Sequence, residues 1–237
     1  MSDGLDERLK AKFQRAIAPL YKGLVVSCQA PADSPLFEPE VIAAIAQAAV
    51  LRGAVGVRID TPEHVKAVRA RVTVPIIGLW KRQFADSDVY ITPQFEQAVA
   101  IAAAGADIIA IDATSRPRPG GEDLETLIER IHTELQLPVM ADIDTLEAAK
   151  AAASFGADLI GTTLFGYTAS TQGQTPPGFE LLQAIARSLS VPLVCEGGVA
   201  SPAQAQQALD LGATTVVVGT AITGIDIQVK NYVNALS

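Results

Sequence analysis

An α/β barrel of eight parallel strands alternating with helices is the fold that this sequence predicts, and three observations predict it. Gly-Ala pairs recur about every fifty residues, each after an Ala-rich helical run and before an apolar strand. Three further apolar runs open with proline, which costs no central ladder bond at the first residue of a strand. The strands are apolar almost throughout, which is typical of a parallel sheet covered on both faces. Eight such units in 237 residues predict a single (β/α)8 barrel domain over residues 1–237.

The first predicted element is an extra helix at 6–18, within a helical extension at 1–22, which would cap one end of the barrel. The strands are expected at 23–29, 55–59, 75–81, 107–112, 138–143, 158–164, 192–198 and 214–219. The clearest helical patterns cover 39–51, 122–135, 201–211 and 226–236. A doubly wound open sheet is the rival fold, and the even repeat and the lack of an early G-x-G-x-x-G argue against it.

Composition excludes several classes of function. The net charge of -8 and the sequence pI near 4.8 leave no basic footprint for nucleic acid. No run of 18 apolar residues predicts a membrane span, and the charged N-terminus does not resemble a secretory signal, so a cytoplasmic protein is expected. Two cysteines and two histidines do not suit a zinc site, a disulfide framework or a Ser-His-Asp triad. We therefore expect no metal and no cofactor. The oligomeric state is left open, with a homodimer among the options.

Polar residues stand at the predicted carboxyl ends of the strands, where barrels of this kind place their catalytic groups. In chain order the eight end residues are Gln29, Arg58, Lys81, Asp112, Asp142, Thr163, Glu196 and Gly219. Period-two alternation predicts that Lys81 and Glu196 point inward, whereas Cys28 and Cys195 face outward as packing residues. The polar side chains are therefore expected to share one mouth.

Loops near this mouth offer further candidates. Gly197, Gly198, Gly219 and Thr220 follow the last two strands, where such barrels often bind phosphate through backbone N–H groups. Arg116 and Arg118 lie in a proline-rich loop that could clamp an anion or simply be stiff and solvated. The long loop after the sixth strand could be a lid or a disordered surface loop.

A lysine and a carboxylate that face one cavity suit proton abstraction beside a carbonyl. Lys81 must be partly neutral to act as a base, which burial among apolar strand residues would favour. Glu196 could orient the lysine or move a second proton, and Arg58 and Gln29 could donate to an enolate. The same lysine could instead form a Schiff base with a carbonyl substrate, as in aldol cleavage. The residues alone leave both mechanisms open.

The chain resembles the N-acetylmannosamine-6-phosphate 2-epimerases of sialic acid degradation over residues 23–236. The stretches that carry the likeness are VSCQA, GVRI, PIIGLWKR, IAIDATSRPRP, MADIDT, GTTLFGYT, EGGV and VVVGTAIT. The resemblance implies a TIM barrel that inverts C2 of an N-acyl hexosamine 6-phosphate without a metal. It places acid/base catalysis at Lys81 with help from Glu196. The substrate-binding candidates are Gln29, Arg58, Asp142, Thr163 and Tyr167.

Two departures concern the phosphate. The resembling family usually carries a basic residue after Glu-Gly on the seventh strand and an arginine after AIT, whereas this chain has Gly198 and Gly224. Arg116, Arg118 or Lys230 could compensate. The alternatives to an epimerase are another phosphosugar isomerase, a Schiff-base aldolase, and a barrel that binds a sugar phosphate without turnover.

Overall fold

A closed barrel of eight parallel strands forms the centre of the protein, in a computed structural model that describes residues 2–236 and the side chains from residue 7 onward. The strand order around the ring is the chain order, and β1 closes against β8. The strands are β1 Leu24–Cys28, β2 Gly56–Asp60, β3 Ile76–Leu79, β4 Ile108–Asp112, β5 Val139–Asp142, β6 Leu159–Gly161, β7 Leu193–Cys195 and β8 Thr215–Val218. The predicted fold class and strand order are confirmed.

Helices cover the outside of this ring. They are α1 Ser2–Ile17, α2 Pro39–Leu51, α3 Pro62–Arg69, α4 Phe95–Ala103, α5 Leu124–Arg130, α6 Leu146–Ser154, α7 Phe179–Ser188, α8 Pro202–Asp210, α9 Thr220–Thr223 and α10 Ile225–Leu236. Among residues 2–236, no helix is both long and apolar enough to cross a bilayer. The helix predicted over 122–135 is α5 followed by a π-helical turn at Ile131–Leu135.

Glycine ends four of these helices as the Gly-Ala repeat predicts. Gly53, Gly105, Gly156 and Gly212 have φ values of 99°, 105°, 97° and 106°. This left-handed backbone carries little penalty for glycine, which has no Cβ. Each glycine therefore reverses the chain from a helix into the next strand, and together they fix the even spacing of the repeat.

The apolar core has two layers, one inside the barrel and one between the strands and the surrounding helices. Alternate strand residues point inward, among them Val25, Ile77 and Val194. Their neighbours Cys28 and Cys195 pack outward against the helices, as predicted. Burial raises the pKa of Cys28 to about 12 and that of Cys195 to about 11, so both thiols stay protonated.

The N-terminal extension closes one end of the barrel. Ile17 at the end of α1 and Leu20 just after it are buried in the same cluster as the inward-facing strand residues. A Cβ added at Gly56, the first residue of β2, would lie 2.7 Å from Leu20 Cδ2. Ile17 and Leu20 therefore close the barrel at the amino ends of the strands, and the open mouth lies at the carboxyl ends. The predicted domain span includes Met1 and Ser237, which lie outside the described residues.

Candidate active site

A cavity of about 610 Å³ opens at the carboxyl ends of the strands. Ten of the predicted site residues line it, namely Gln29, Arg58, Lys81, Thr163, Tyr167, Glu196, Gly197, Gly198, Gly219 and Thr220. They come from six of the eight βα units, so only the closed barrel brings them together. Asp142, the remaining predicted residue, lies directly beneath the cavity.

A buried guanidinium holds the floor of the cavity together. Arg58 is 1% exposed, and its Nη1 and Nη2 donate to Asp142 Oδ1 and Oδ2 at 3.1 and 2.5 Å. Nη1 also lies 2.9 Å from Glu196 Oε2. Desolvation by itself would lower the pKa of Arg58, but Asp142 and Glu196 outweigh it and the pKa lies above its usual value. Arg58 therefore keeps its positive charge inside the barrel.

Glu196 is set to gain or lose a proton near neutrality. Burial, with a smaller contribution from nearby Asp142, raises its pKa to about 7 against the opposing effects of Arg58 and Thr163. Thr163 Oγ1 lies 2.7 Å from Asp142 Oδ1 and 3.2 Å from Glu196 Oε2. A carboxyl group with this pKa can act as a general acid or a general base at physiological pH.

Lys81 follows β3 and lies on the side of the mouth opposite Glu196, which follows β7. Its Nζ donates to Gln29 Oε1, and Gln29 Nε2 donates to Ser27 Oγ at 2.9 Å. The backbone N–H of Lys81 donates to Asp60 Oδ1 at 2.9 Å, and Nζ lies 4.0 Å from Asp60 Oδ2. Two carboxylate oxygens of one residue therefore fix the main chain of the lysine and face its ammonium group.

The structure corrects two expectations about these residues. The Lys81 side chain is 43% exposed, so the burial expected from its apolar strand is wrong. The strand ends two residues earlier, at Leu79, and the lysine stands in the open mouth. Arg58 is not at a strand end, because β2 continues to Asp60. The arginine therefore lies deeper in the barrel than its predicted place.

Two of the predicted strand-end carboxylates are buried below the mouth. Asp142 is 0% exposed and does not line the cavity; it contacts Arg58 and Thr163. Asp112 is also fully buried, and it pairs with Arg116 Nη2 at 2.6 Å and accepts from Thr114 Oγ1 at 2.7 Å. The expectation that Asp112 faces the mouth is wrong, because its own loop covers it. Burial raises the pKa of Asp112, although Arg116 and Thr114 oppose the rise.

The arginine loop after β4 is held from within. Arg118 is 7% exposed and donates to the backbone oxygens of Pro93 and Thr92, both at 3.0 Å, and to that of Asp112. Arg116 is engaged by Asp112. Neither arginine lines the cavity. Their contacts join two loops of the mouth, which is a role that neither predicted alternative described.

The long loop after β6 is folded over one side of the mouth. Thr168 Oγ1 donates to Asp144 Oδ2 at 2.7 Å, and Gly166 N donates to Thr171 Oγ1 at 2.9 Å. Tyr167 is 60% exposed at the rim. The loop also presses on Gly198, where an added Cβ would lie 2.5 Å from Pro176 Cβ and 2.7 Å from its carbonyl carbon. Gly198 has a φ of 69°, so its backbone also disfavours a side chain.

Sequence reasoning missed several residues of the site. Tyr90 lines the cavity from the segment between β3 and α4, which folds back so that Ile91 bridges Lys81. Burial raises the pKa of Tyr90 to about 12, so its phenol stays protonated. Asp60 gave a usable signal, as the residue directly after the GVRI motif. Gln228 and Asn231 reach the mouth from α10, which no strand-end pattern could indicate. Among the described side chains, those of residues 7–236, no group of three or more His, Cys, Asp or Glu is arranged to hold a metal ion.

Comparisons with known proteins agree with this geometry. A family model described as "Putative N-acetylmannosamine-6-phosphate epimerase" matches residues 42–237. Proteins named "Putative N-acetylmannosamine-6-phosphate 2-epimerase" from Synechococcus elongatus and Thermosynechococcus vestitus are 66% and 64% identical, over 94% and 90% of this chain and 97% and 93% of their own. The N-acetylmannosamine-6-phosphate 2-epimerase structure from Clostridium perfringens superposes with a TM-score of 0.89 at 35% identity, covering 92% of this chain and 95% of that one.

The raised pKa of Glu196 predicts a pH-dependent stability difference between the wild type and Glu196→Gln. The folded protein holds this proton up to about pH 7, whereas the ordinary value is 4.5. The raised pKa of Glu196 therefore adds to the free energy of unfolding in full below about pH 4.5, and this contribution is lost as the pH rises through 7. The total loss is roughly 3 kcal/mol, at 1.36 kcal/mol per pKa unit. Urea unfolding at pH 5 and pH 8 should show the wild type losing more free energy than the variant. The exposed control Glu129→Gln should track the wild type, and parallel curves for Glu196→Gln would disprove the shift.

Proposed function

Because the chain belongs to the N-acetylmannosamine-6-phosphate epimerase family, we propose that it inverts C2 of an N-acyl hexosamine 6-phosphate. The reaction converts N-acetylmannosamine 6-phosphate to N-acetylglucosamine 6-phosphate, which makes the protein an isomerase. The hydrogen on C2 is acidic only beside a free carbonyl, so the sugar reacts as its open-chain aldehyde. No oxidant or second substrate is needed, because one proton leaves C2 and one returns.

One observation carries this proposal: the two proton-transfer groups stand on opposite sides of the ring. Lys81 follows β3 and Glu196 follows β7, and four steps separate these strands in an eight-membered barrel. A substrate carbon between them exposes one face to each group. Inversion requires removal of a proton from one face and delivery to the other, which this arrangement provides.

Lys81 exchanges the proton on one face of C2. Gln29 holds the amine in the mouth through its Oε1, and Asp60 anchors the main chain behind it. The exposed position of the lysine lets its proton exchange with water before the next turnover. The amine must return to its starting protonation state before each new turnover, and contact with solvent allows this.

Glu196 supplies the proton to the other face. With a pKa of about 7, a substantial fraction of this carboxyl group carries a proton at neutral pH. Arg58 stays cationic beside it and stabilises both the carboxylate left behind and the enolate formed at C1 and C2. The Tyr90 phenol, neutral and at the cavity wall, is suited to donate to a substrate oxygen.

We also propose a cellular location and a pathway for the enzyme. We place the enzyme in the cytoplasm, in the degradation of sialic acid, where a phosphorylated amino sugar is its small-molecule partner. Gly197, Gly198, Gly219 and Thr220 remain the proposed backbone contacts of the 6-phosphate. Thr163, Tyr167 and Gln29 are the proposed contacts of the sugar itself.

We also propose that the chain forms a homodimer through α10. Ile225, Val229, Tyr232 and Leu236 recur at helical spacing along one face and are 55%, 56%, 72% and 87% exposed. None of the described residues of α10 is buried. A helix with such an apolar face needs a partner, because exposed apolar area of this size marks an interaction surface.

The barrel wall offers the complementary surface. A largely apolar groove of about 460 Å³ lies outside β8 and β1. Its large apolar residues are Leu24, Leu209, Val216, Val218 and Ile222, and Lys22 and Gln206 also line it. In a (β/α)8 barrel this is the place of the helix that follows the last strand. We propose that α10 of a second copy occupies the groove, and that the exchange is reciprocal, because a two-fold contact uses the same surface on both subunits.

The first of three predictions about the proposed function concerns Lys81. Lys81→Ala should lower the epimerisation rate by roughly 10²- to 10⁴-fold, the usual range for one general acid or base, while substrate binding survives. Proton NMR of the C2 signal in D₂O measures the rate, and calorimetry measures binding. Arg82→Ala, a neighbouring cation that stacks over Trp80 outside the cavity, is the matched control and should keep its activity. Near-normal turnover of Lys81→Ala would remove the lysine from the mechanism.

The second prediction separates proton transfer from the Schiff-base alternative. Borohydride added during turnover should leave the mass of the protein unchanged, because no imine forms on Lys81. A stable sugar adduct that is present in the wild type and absent in Lys81→Ala would favour the aldolase mechanism instead.

The third prediction tests the homodimer. Light scattering at micromolar concentration should give about twice the chain mass of 24.8 kDa. Val229→Asp on the helix face and Leu209→Glu in the groove should each yield folded monomers, whereas Lys230→Asp, a charge change of the same kind beside that face, should stay dimeric. A monomeric wild type, or dimers that survive both substitutions, would refute the exchange.

A further inference from the structure

The cavity divides into two halves of different charge. The reactive half carries Gln29, Arg58, Lys81, Tyr90 and Glu196. The distal half lies between the loops after β7 and β8 and the first turns of α10. Its lining residues are Gly197, Gly198, Val199, Ala200, Gly219, Thr220, Ala221, Ile227, Gln228 and Asn231. None of these residues carries a formal charge, and the proposed reaction at C2 fixes the reactive half as the place of the aldehyde, so C6 must point into the distal half.

The three basic side chains that could compensate, Arg116, Arg118 and Lys230, do not line the distal half. Arg116 pairs with Asp112, and Arg118 is buried among backbone oxygens, so neither reaches the distal half. Lys230 lies on α10 but does not line the cavity. Asp226, in the first turn of the same helix, accepts from Ser34 Oγ at 3.0 Å and adds negative charge beside Ile227.

The backbone itself excludes a cation at two places. Gly198 cannot take a side chain without displacing Pro176, as described above. A Cβ at Gly224 would lie 2.8 Å from both Cα and O of Thr220. A side chain at Gly198 would therefore need the loop of Pro176 to move, and one at Gly224 would need the backbone at Thr220 to move.

Amide and hydroxyl groups provide what polarity the distal half has. Gln228 and Asn231 present side-chain amides, with Gln228 Nε2 donating to Thr220 O at 3.3 Å. Ile227, Val199 and Ala221 supply apolar surface beside them. These side chains can accommodate a neutral hydroxymethyl group, and they do not neutralise the charge of a phosphate dianion.

We infer that this protein also epimerises N-acyl hexosamines that carry no phosphate, with N-acetylmannosamine itself as the test substrate. The inference rests on the proposed C2 epimerisation and changes none of its steps. A charged hydrogen bond to phosphate contributes roughly 10- to 100-fold to affinity. Without a cation lining the distal half, the phosphate gains only contacts with neutral groups there and cannot enforce strict discrimination.

The test compares kcat/KM for N-acetylmannosamine 6-phosphate and N-acetylmannosamine, both followed by C2 exchange and epimer formation in D₂O. The preference for the phosphorylated sugar should be below about 10³-fold. A preference above 10³-fold overturns the inference and leaves the proposed epimerase intact. Turnover of neither sugar overturns both.

A pair of variants tests the cause. Asn231 is exposed on α10 and lines the distal half, so Asn231→Arg should raise the preference for the phosphorylated sugar about tenfold or more. The variant of opposite charge, Asn231→Glu, should lower it. Asn231→Gln, which keeps the amide, should leave the preference within twofold of the wild type. If Arg and Glu shift the preference equally or not at all, the phosphate lies elsewhere and the assignment of the distal half is wrong.

Discussion

The shared contact of Arg58 with Asp142 and Glu196 is the interaction on which the site depends. A cation that is 1% exposed cannot remain in a barrel of Val, Ile and Leu without counter-charge, and these two carboxyl groups supply it. Removing one partner of such a buried pair typically costs about 3–5 kcal/mol. The same pairing orients Glu196 towards the mouth and places Thr163 between the two carboxyl groups. Stability and chemistry therefore draw on the same few atoms.

Much of the barrel could be predicted because its signals are local. Helix-ending glycines such as Gly53 and Gly212, and the short apolar strands between the helices, indicate the order of the elements before any tertiary contact is known. Inward and outward faces also follow from period two, which placed Cys28 and Cys195 correctly outside. These features depend on a residue and its near neighbours in the chain, so they can be read without the fold.

The depth of each polar side chain could not be read in this way. Arg58 lies deeper than its predicted place because β2 continues to Asp60, and Asp112 is hidden because the loop that follows it supplies Arg116. Lys81 was expected among apolar neighbours, yet its strand ends at Leu79 and leaves it in solvent. Tyr90 and Asn231 reach the cavity from a fold-back segment and a terminal helix, whose courses depend on packing between distant parts of the chain. Strand-end patterns find which residues meet, whereas long-range packing decides how far each one is buried.

The contact between Pro176 and Gly198 has a consequence for how this family can diversify. The two residues belong to loops of neighbouring βα units, and the absence of a side chain on one leaves room for the ring of the other. A lineage that gains a side chain at position 198 must first rebuild the loop at 176, and a lineage that shortens that loop frees position 198 to vary. The two positions are therefore expected to change together over evolutionary time. The length of the loop after the sixth strand then decides whether position 198, after the seventh, can carry a charged side chain.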